Sequence, residues 1–576
     1  MRQNTITANE MKAIDKNAVS FGMSALQLME NAGFSLADKI LDLSNRLEPF
    51  VLFVAGLGNN GGDTFVAARH LANQNVSSAV FLLGGENQIK TPESRLNFSL
   101  LKHSDAVSVF EIHSESEFKE LFDVFSKKAE IWVDGIFGTG FSGSVKGIEK
   151  TAIDWMNAEK KSNLIVSVDL PSGMSPAVFS PAVFPSADSK DVLGSISGSI
   201  SGSIINADVT VTFHKMKTFL ESDFAQKYAG DVFVYPIGIP EFAEKYIGEG
   251  DLSLLSPRFS KSHKGNNGKV LIIAGGPYTG APALAGMGAL RVGCDIVTIA
   301  APKNIFKEVA TFAPEFIVRK LSQKCLSEAD LPLLSDLIAA HDCVVIGPGL
   351  GRDSDSLLAA AKLIPYFKKA IIDADALSPM VLDALVKRNM DSEIMITPHY
   401  HEFVRIANYF KINLPGRRED LSSDELESAV FDISQKLNAV VLLKGKEDII
   451  AFGDEIRYNL TGNAGMTVGG TGDVLAGVSG GLFAVNDAVL SAGCGAYICG
   501  KAGDLACRKK GFSLIPTDIL KEIPSVLFNL TKSADDKMKY KYKNKNKKQK
   551  QKQKQKQKQK NKKTKKQKNK KSGCRR

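Results

Sequence analysis

The chain has 576 residues, 44% of them hydrophobic and 24% charged, a length that exceeds one core and calls for several domains. Its net charge of +10 is a property of the C-terminal end alone: residues 537–576 hold 22 Lys plus Arg and no acid, leaving 51 basic against 63 acidic residues and a net of −12 elsewhere. Seven cysteines without a C-x-x-C pair argue against a disulfide framework or zinc site, and no uninterrupted run of 18 apolar residues suggests a membrane span, so the chain reads as cytoplasmic.

In chain order, residues 8–44 carry helical periodicity, and Phe50-Val51-Leu52-Phe53-Val54-Ala55 reads as a buried strand. Apolar runs near 79–83, 107–110, 130–133, 164–168 and 207–213 alternate with helical patterns, predicting a doubly wound, largely parallel three-layer α/β unit. Residues 176–205 turn to Ser, Pro, Ala and Gly in low-complexity repeats, a surface insertion. Composition shifts again at 249–264, and a second α/β rhythm follows with strands near 270–274, 296–300, 343–346, 370–372, 394–396, 440–443 and 448–452. It ends in a buried helix pair on either side of Asn486, and the Lys/Gln-rich tail cannot bury a core and is expected to be disordered.

The loops carry the chemistry. The first strand runs into Gly56-Leu57-Gly58-Asn59-Asn60-Gly61-Gly62-Asp63, whose amide side chains and exposed backbone suit a cation beside a phosphate, although turn chemistry alone also accounts for it. Asp134-Gly135-Ile136-Phe137-Gly138-Thr139-Gly140 and Asp169-Leu170-Pro171-Ser172-Gly173 leave other strand ends with an acid followed by glycines, which points to one shared site. In the second half, Val468-Gly469-Gly470-Thr471-Gly472-Asp473 opens a helix: its backbone N–H groups and positive dipole end would hold a phosphate, with Asp473 as the base.

These motifs, with Leu28-Met29-Glu30-Asn31-Ala32-Gly33, resemble the NAD(P)H-hydrate epimerase domain. The second half is similar to its usual fusion partner, the ADP-dependent NAD(P)H-hydrate dehydratase. Its matching stretches are His263-Lys264-Gly265, Tyr278-Thr279-Gly280-Ala281, Gly347-Pro348-Gly349-Leu350-Gly351, Asp373-Ala374-Asp375-Ala376-Leu377, Thr397-Pro398-His399 and Leu443-Lys444-Gly445. The resemblance spans about residues 5–530 and implies an N-terminal Rossmann-like three-layer domain (1–250), a ribokinase-like α/β domain (251–535) and the tail (536–576).

Carried over by position, the resemblance implies a hydrate pocket at Asn59, Asn60, Gly61, Gly62 and Asp63, continued by Gly138, Thr139, Gly140, Phe141, Ser142, Gly143 and Ser144. Potassium would be held by Asn60, Asp134 and Ser172. Asp169 would bind the damaged nicotinamide and act as acid–base at C6, with Lys217 either its helper or a solvated surface charge. In the second domain Ala281, Gly351, His399 and Asp473 would face the hydrate, while Lys444, Gly445, Lys446, Glu447, Asp448 and Gly472 would contact ADP, the phosphoryl donor, with magnesium. Asp473 is the implied catalytic base. The implied partners are NADHX, NADPHX and ADP, in a homo-oligomer, with non-specific nucleic-acid contact confined to the tail.

Three positions depart from the family pattern: Thr64 stands where Gly is commoner, Tyr400-His401-Glu402 where Pro-Gly-Glu is usual, and Cys499 where His is common. The rival reading is a ribokinase-like kinase of a vitamin-precursor alcohol, because Gly-Thr-Gly-Asp is shared across that fold, but such kinases lack the first half.

Overall fold

A computed structural model of the chain describes residues 5–46, 48–160, 163–175 and 203–528. The insertion at 176–205, apart from its last three residues, and the basic tail lie outside the described residues. The chain divides into two compact units, Met1–Leu254 and Leu255–Arg576.

In the first unit the helical stretch 8–44 is two helices, because capping boxes at Thr7/Glu10 and Ser24/Gln27 start Ala8–Ser20 and Ala25–Leu43 separately. The strands are β1 (Thr5–Ile6), β2 (Phe50–Ala55), β3 (Ser77–Leu83), β4 (Val107–Ile112), β5 (Ile131–Gly135), β6 (Leu164–Val168), β7 (Val209–Phe213), β8 (Met216–Lys217) and β9 (Asp231–Tyr235). Seven of them form an all-parallel sheet in the order β4-β3-β2-β5-β6-β7-β9, and β1 pairs with β8.

The apolar run of β2 serves both faces of that sheet through its period of two. Val51, Phe53 and Ala55 pack with Leu36, Ile40 and Phe65 on one side; Leu52 and Val54 pack with Phe122, Trp132 and Ile153 on the other. Strand order reverses between β2 and β5, so the loops beginning at Gly56 and Ile136 open at the switch point, where such sheets bind ligands.

The second unit holds β10 (Lys269–Ile273), β11 (Ile296–Ala301), β12 (Ile317–Lys320), β13 (Cys343–Ile346), β14 (Lys369–Ile372), β15 (Glu393–Ile396), β16 (Val440–Leu443), β17 (Asp448–Phe452) and β18 (Glu455–Asn459). They form one sheet in the order β12-β11-β10-β13-β14-β15-β16-β17-β18, antiparallel only at β16–β17 and β17–β18. Its switch point lies between β10 and β13.

Helices Thr471–Phe483 and Ala488–Lys510 are the expected buried pair. Thr471–Phe483 also presses against Gly280–Arg291 so closely that a methyl group at Gly477 would overlap the Ala285 carbonyl oxygen. Gly477→Ala is therefore expected to destabilise the second unit by about 1–3 kcal/mol, read as a lower Tm of that unit by calorimetry.

Strands β9, β12 and β18 have no counterpart in the periodicity. All three are sheet edges, where one ladder is missing and side chains such as Asp231, Arg319, Glu455 and Arg457 interrupt the apolar run. No helix among the described residues is long and apolar enough to cross a membrane.

Candidate functional sites

Three strand ends of the first unit meet over β5. Asn60, in the first turn of helix Asn59–Asn73, donates its amide to Phe137 O (3.0 Å) and Val168 O (3.1 Å), which leaves Oδ1 directed toward Gly138. Asp134 is fully buried near the end of β5 and accepts hydrogen bonds from Ser167 Oγ and Ser172 N–H, both at 2.8 Å. Ser172 Oγ accepts from Phe137 N–H at 2.8 Å. Burial pushes the Asp134 carboxyl up, and these donors only partly pull it back. Asn60, Asp134 and Ser172, from three strand ends, are thus gathered around the Asp134–Phe137 segment, and among the described residues no side-chain cation pairs with Asp134.

Asp169 follows β6 in the left-handed region, with φ 64°, a conformation that a non-glycine residue keeps only when its surroundings hold it there. Its N–H donates to Val211 O (2.7 Å), and its carboxylate accepts from Thr212 Oγ1 (3.2 Å) and Thr139 N–H (3.3 Å). Lys217 Nζ lies 3.0 Å away, with its side chain only 3% exposed, so the solvated-charge reading of Lys217 is overturned.

Burial alone would raise Asp169. The Lys217 ammonium, with the hydrogen bonds from Lys217, Thr139 and Thr212, instead holds it below the usual carboxylate range. Its neighbours go the other way. Burial, followed by the charges of Asp169 and Asp15, pushes Asp63 well up, and burial raises Asp15 to about 6. The sequence reading missed Asp15, which is one polar residue on an amphipathic helix and carries no signal of its own.

Gly138 passes over this cluster: a Cβ there would stand 2.7 Å from Asn60 Oδ1 and 3.3 Å from Asp169 Oδ2. From Gly140 to Ser144 the loop is largely exposed, with Phe141 stacked on Phe137 at 4.4 Å, and Asn59 is exposed rather than turned into the cluster. Thr64 is absorbed by packing, since its hydroxyl donates to Gly61 O at 2.6 Å.

In the second unit Gly470 takes φ 99° and opens helix Thr471–Phe483, which puts Asp473 in the first turn. Burial, then the negative charge of Asp373, lifts the Asp473 carboxyl to about 7. Asp373 is buried at the end of β14 and accepts from Thr397 Oγ1 (2.8 Å) and Lys444 Nζ (2.9 Å). Burial disfavours the Lys444 ammonium, but Asp373, Glu402 and Asp473 together hold its pKa above the ordinary value. A Cβ at Gly472 would lie 3.4 Å from Lys444 Nζ, so the lysine faces the glycine loop.

The turn from Lys444 to Asp448 is closed by Gly445 N–H donating to Asp448 Oδ1 (2.9 Å), while Asn459 donates to Oδ2 (2.9 Å) and burial raises Asp448 to about 6. Lys446 is exposed and Glu447 half-buried on that turn. His399 caps helix Tyr400–Tyr409 and bridges Lys444 through the backbone, Lys444 N–H donating to Pro398 O at 2.9 Å. Burial lowers the His399 imidazole, partly opposed by Glu402, the residue retained in the departure at 400–402.

At the switch-point loops a Cβ at Gly349 would stand only 2.9 Å from that of Ala281, while Gly351 lies against Pro277 and its N–H donates to Asp375 Oδ2 at 3.0 Å. The sequence reading gave Asp373 no role. Its signal was the one that marked Asp134 and Asp169, an acid at a parallel strand's carboxyl end.

A family model described as YjeF-related protein N-terminus matches residues 25–219, and one described as NAD(P)H-hydrate dehydratase matches residues 270–525. The bifunctional NAD(P)H-hydrate repair enzyme Nnr of Archaeoglobus fulgidus is 36% identical over 522 residues, covering 91% of this chain and 98% of that one. Its counterpart in Methanocaldococcus jannaschii is 36% identical over 530 residues, covering 91% and 93%. Among solved structures, an ADP/ATP-dependent NAD(P)H-hydrate dehydratase from Bacillus subtilis, co-crystallised with ATP/Mg2+, is similar at 25% identity and TM-score 0.42, covering 50% of this chain and 98% of that one. With both units matched in one order along relatives of nearly equal length, the chain belongs to the family of bifunctional NAD(P)H-hydrate repair enzymes.

Proposed function

We propose that the chain repairs hydrated NADH and NADPH, the first unit interconverting the R and S epimers and the second dehydrating the S epimer at the expense of ADP. The observation that carries the dehydratase reading is Asp473: a carboxyl lifted to about 7, at a glycine-opened helix start, beside the buried Lys444–Asp373 pair. Hydroxide is a poor leaving group and phosphate a good one. ADP would supply the terminal phosphoryl group that makes this exchange, leaving AMP.

Asp473 takes the proton of the C6 hydroxyl as its oxygen attacks phosphorus. The amides from Gly469 to Gly472 and the Lys444 ammonium stabilise the charge on the phosphoryl oxygens. Loss of phosphate from C6 and of a proton from C5 then restores the dihydropyridine ring. Ala281, Gly351 and His399 face the hydrate, and Lys444, Gly445, Lys446, Glu447, Asp448 and Gly472 contact the nucleotide. Magnesium, bound with the nucleotide, would offset the negative charge of its phosphates.

In the first unit, carboxyls whose surroundings drive them apart supply donor and acceptor. Asp63, whose carboxyl is pushed well up by burial, gives a proton to the departing C6 hydroxyl, which leaves as water. Ionised Asp169 takes the proton from the water that adds to the opposite face. Asn59 to Asp63 and Gly138 to Ser144 form the hydrate pocket.

Potassium fits Asn60, Asp134 and Ser172, since a buried carboxylate without a counter-ion, an open amide oxygen and a hydroxyl are hard oxygen donors. Bound there, it would supply the positive charge that Asp134 lacks. Replacing potassium with a large organic cation is expected to weaken substrate binding at the first unit while dehydratase turnover stays unchanged, followed by epimerisation rates and by absorbance recovery in parallel.

All six described cysteines are free thiols, which supports a reducing compartment, and we place the enzyme in the cytoplasm. Homo-oligomerisation follows the family resemblance. The tail would add salt-sensitive, sequence-independent attraction to nucleic acid. Deleting residues 537–576 is expected to abolish RNA retention and leave dehydratase turnover intact; lost turnover would make the tail part of the enzyme. The decisive assay for the whole reading incubates each epimer with and without ADP. Recovery of the reduced-nicotinamide absorbance from both epimers only when ADP is present supports it, and no recovery with either refutes it.

A further inference from the structure

Resting on the assignment of Asp169 and Lys217 to epimerisation, we propose that Glu244 is a positioning residue for that reaction, clamping the turn that aims the Lys217 ammonium at Asp169. The turn joins β7 to β8. After Phe213 the chain enters the left-handed region at His214, with φ 69°, a conformation that a non-glycine residue keeps only when its surroundings hold it there.

The backbone of the turn is also the seat of the lysine. Phe213 O accepts from Lys215 N–H at 2.9 Å and from Lys217 Nζ at 2.6 Å, and that same Nζ stands 3.0 Å from Asp169. Whatever fixes the Phe213–Lys215 geometry therefore fixes where the positive charge meets the carboxylate.

Glu244 holds both side chains of the turn. Its Oε1 lies 2.8 Å from His214 Nε2, and its Oε2 is paired with Lys215 Nζ, with the Glu244 side chain only 13% exposed. Burial would raise this carboxyl, but the contacts with His214 and Lys215 bring it down to about 2. The clamp has a fixed mounting: Glu244 belongs to the one-turn helix Phe242–Lys245, and Asn17, on the helix that carries Asp15, donates to Ala243 O at 3.1 Å. Two basic side chains, His214 and Lys215, drawn to one half-buried carboxylate fix the residue pair that leads into Lys217.

The test is a double-mutant cycle on the full chain, with epimerisation followed by proton NMR. Glu244→Gln keeps the size and removes the charge; kcat is expected to fall by about 10- to 100-fold with KM little changed, as for a small misplacement of a reacting group. In a Lys217→Met background the same substitution is expected to change kcat by less than about twofold, because it acts through the lysine. Equal losses in both backgrounds would reduce Glu244 to general support and overturn the proposal. Lys215→Met, which removes one arm, should give an intermediate loss if Glu244→Gln proves too unstable to assay.

Amide hydrogen exchange over residues 213–217 is read on the same proteins. Faster exchange in Glu244→Gln supports the clamp, and unchanged exchange overturns it. Full epimerase activity in Lys217→Met would instead sink the assignment of the site, an outcome separate from failure of the clamp.

Discussion

Asp473→Asn is expected to lower dehydratase turnover by about 10²–10⁴-fold, the range that loss of a general base produces, while nucleotide binding stays within about twofold of the parent. The amide has the shape of the carboxylate and leaves the helix start and the Lys444–Asp373 pair in place, but it cannot take the hydroxyl proton. The pH dependence follows from the same group. With the carboxyl lifted to about 7, the base is ionised above that value and protonated below it, so turnover should fall about tenfold per unit as the pH drops through 7 toward acid. This acid limb should vanish in Asp473→Asn. Retained turnover in the variant, measured as absorbance recovery with ADP and the S epimer, would remove Asp473 from the mechanism.

The second large effect belongs to the other unit. Asp169→Asn is expected to slow interconversion of the C6 epimers by about 10²–10⁴-fold and to leave dehydration of the S epimer untouched. Lys217→Met should act on both rate and stability. The pair is buried, and removing one member leaves the other uncompensated, a loss of about 3–5 kcal/mol read by thermal or denaturant unfolding. Because the folded protein holds Asp169 below its unfolded value, the pair stabilises the unit above a pH of about 3.9 and ceases to do so as the pH falls below that range. In Lys217→Met the carboxyl rises, so the acid limb of epimerisation should move to higher pH. Proton NMR of the two epimers reads the rate, and an unmoved limb would show that Lys217 does not set the charge on Asp169.

Much of this arrangement was legible from local pattern. Apolar runs that feed both faces of a parallel sheet are long and uninterrupted, so the central strands β2, β5, β6, β10, β13 and β14 stood out. Glycines after strand-terminal acids marked Asp134 and Asp169, and the glycine run before Asp473 marked a helix start. What escaped has a common cause. Edge strands β9, β12 and β18 satisfy only one ladder and tolerate charges that break the pattern. Partnerships such as Lys217 with Asp169, Lys444 with Asp373 and Glu244 with His214 join residues 30 to 71 positions apart, and no short-range spacing reports them. The ionisation states are further removed from pattern, because Asp63 and Asp169 are the same residue type: Lys217 and hydrogen bonds from Thr139 and Thr212 hold Asp169 down, whereas at Asp63 burial and the charges of Asp169 and Asp15 outweigh Lys217.

On the assignment proposed above, the backbone bridge between His399 and Lys444 would couple specificity for the two substrates of the second unit. His399, proposed to face the hydrate, and Lys444, proposed to face the nucleotide, are stitched across neighbouring strand ends, so neither can be relocated alone. Transplanting the 444–448 turn from a protein with another donor preference would have to carry Thr397–His399 along, or the exchange would trade one ligand's fit for the other's.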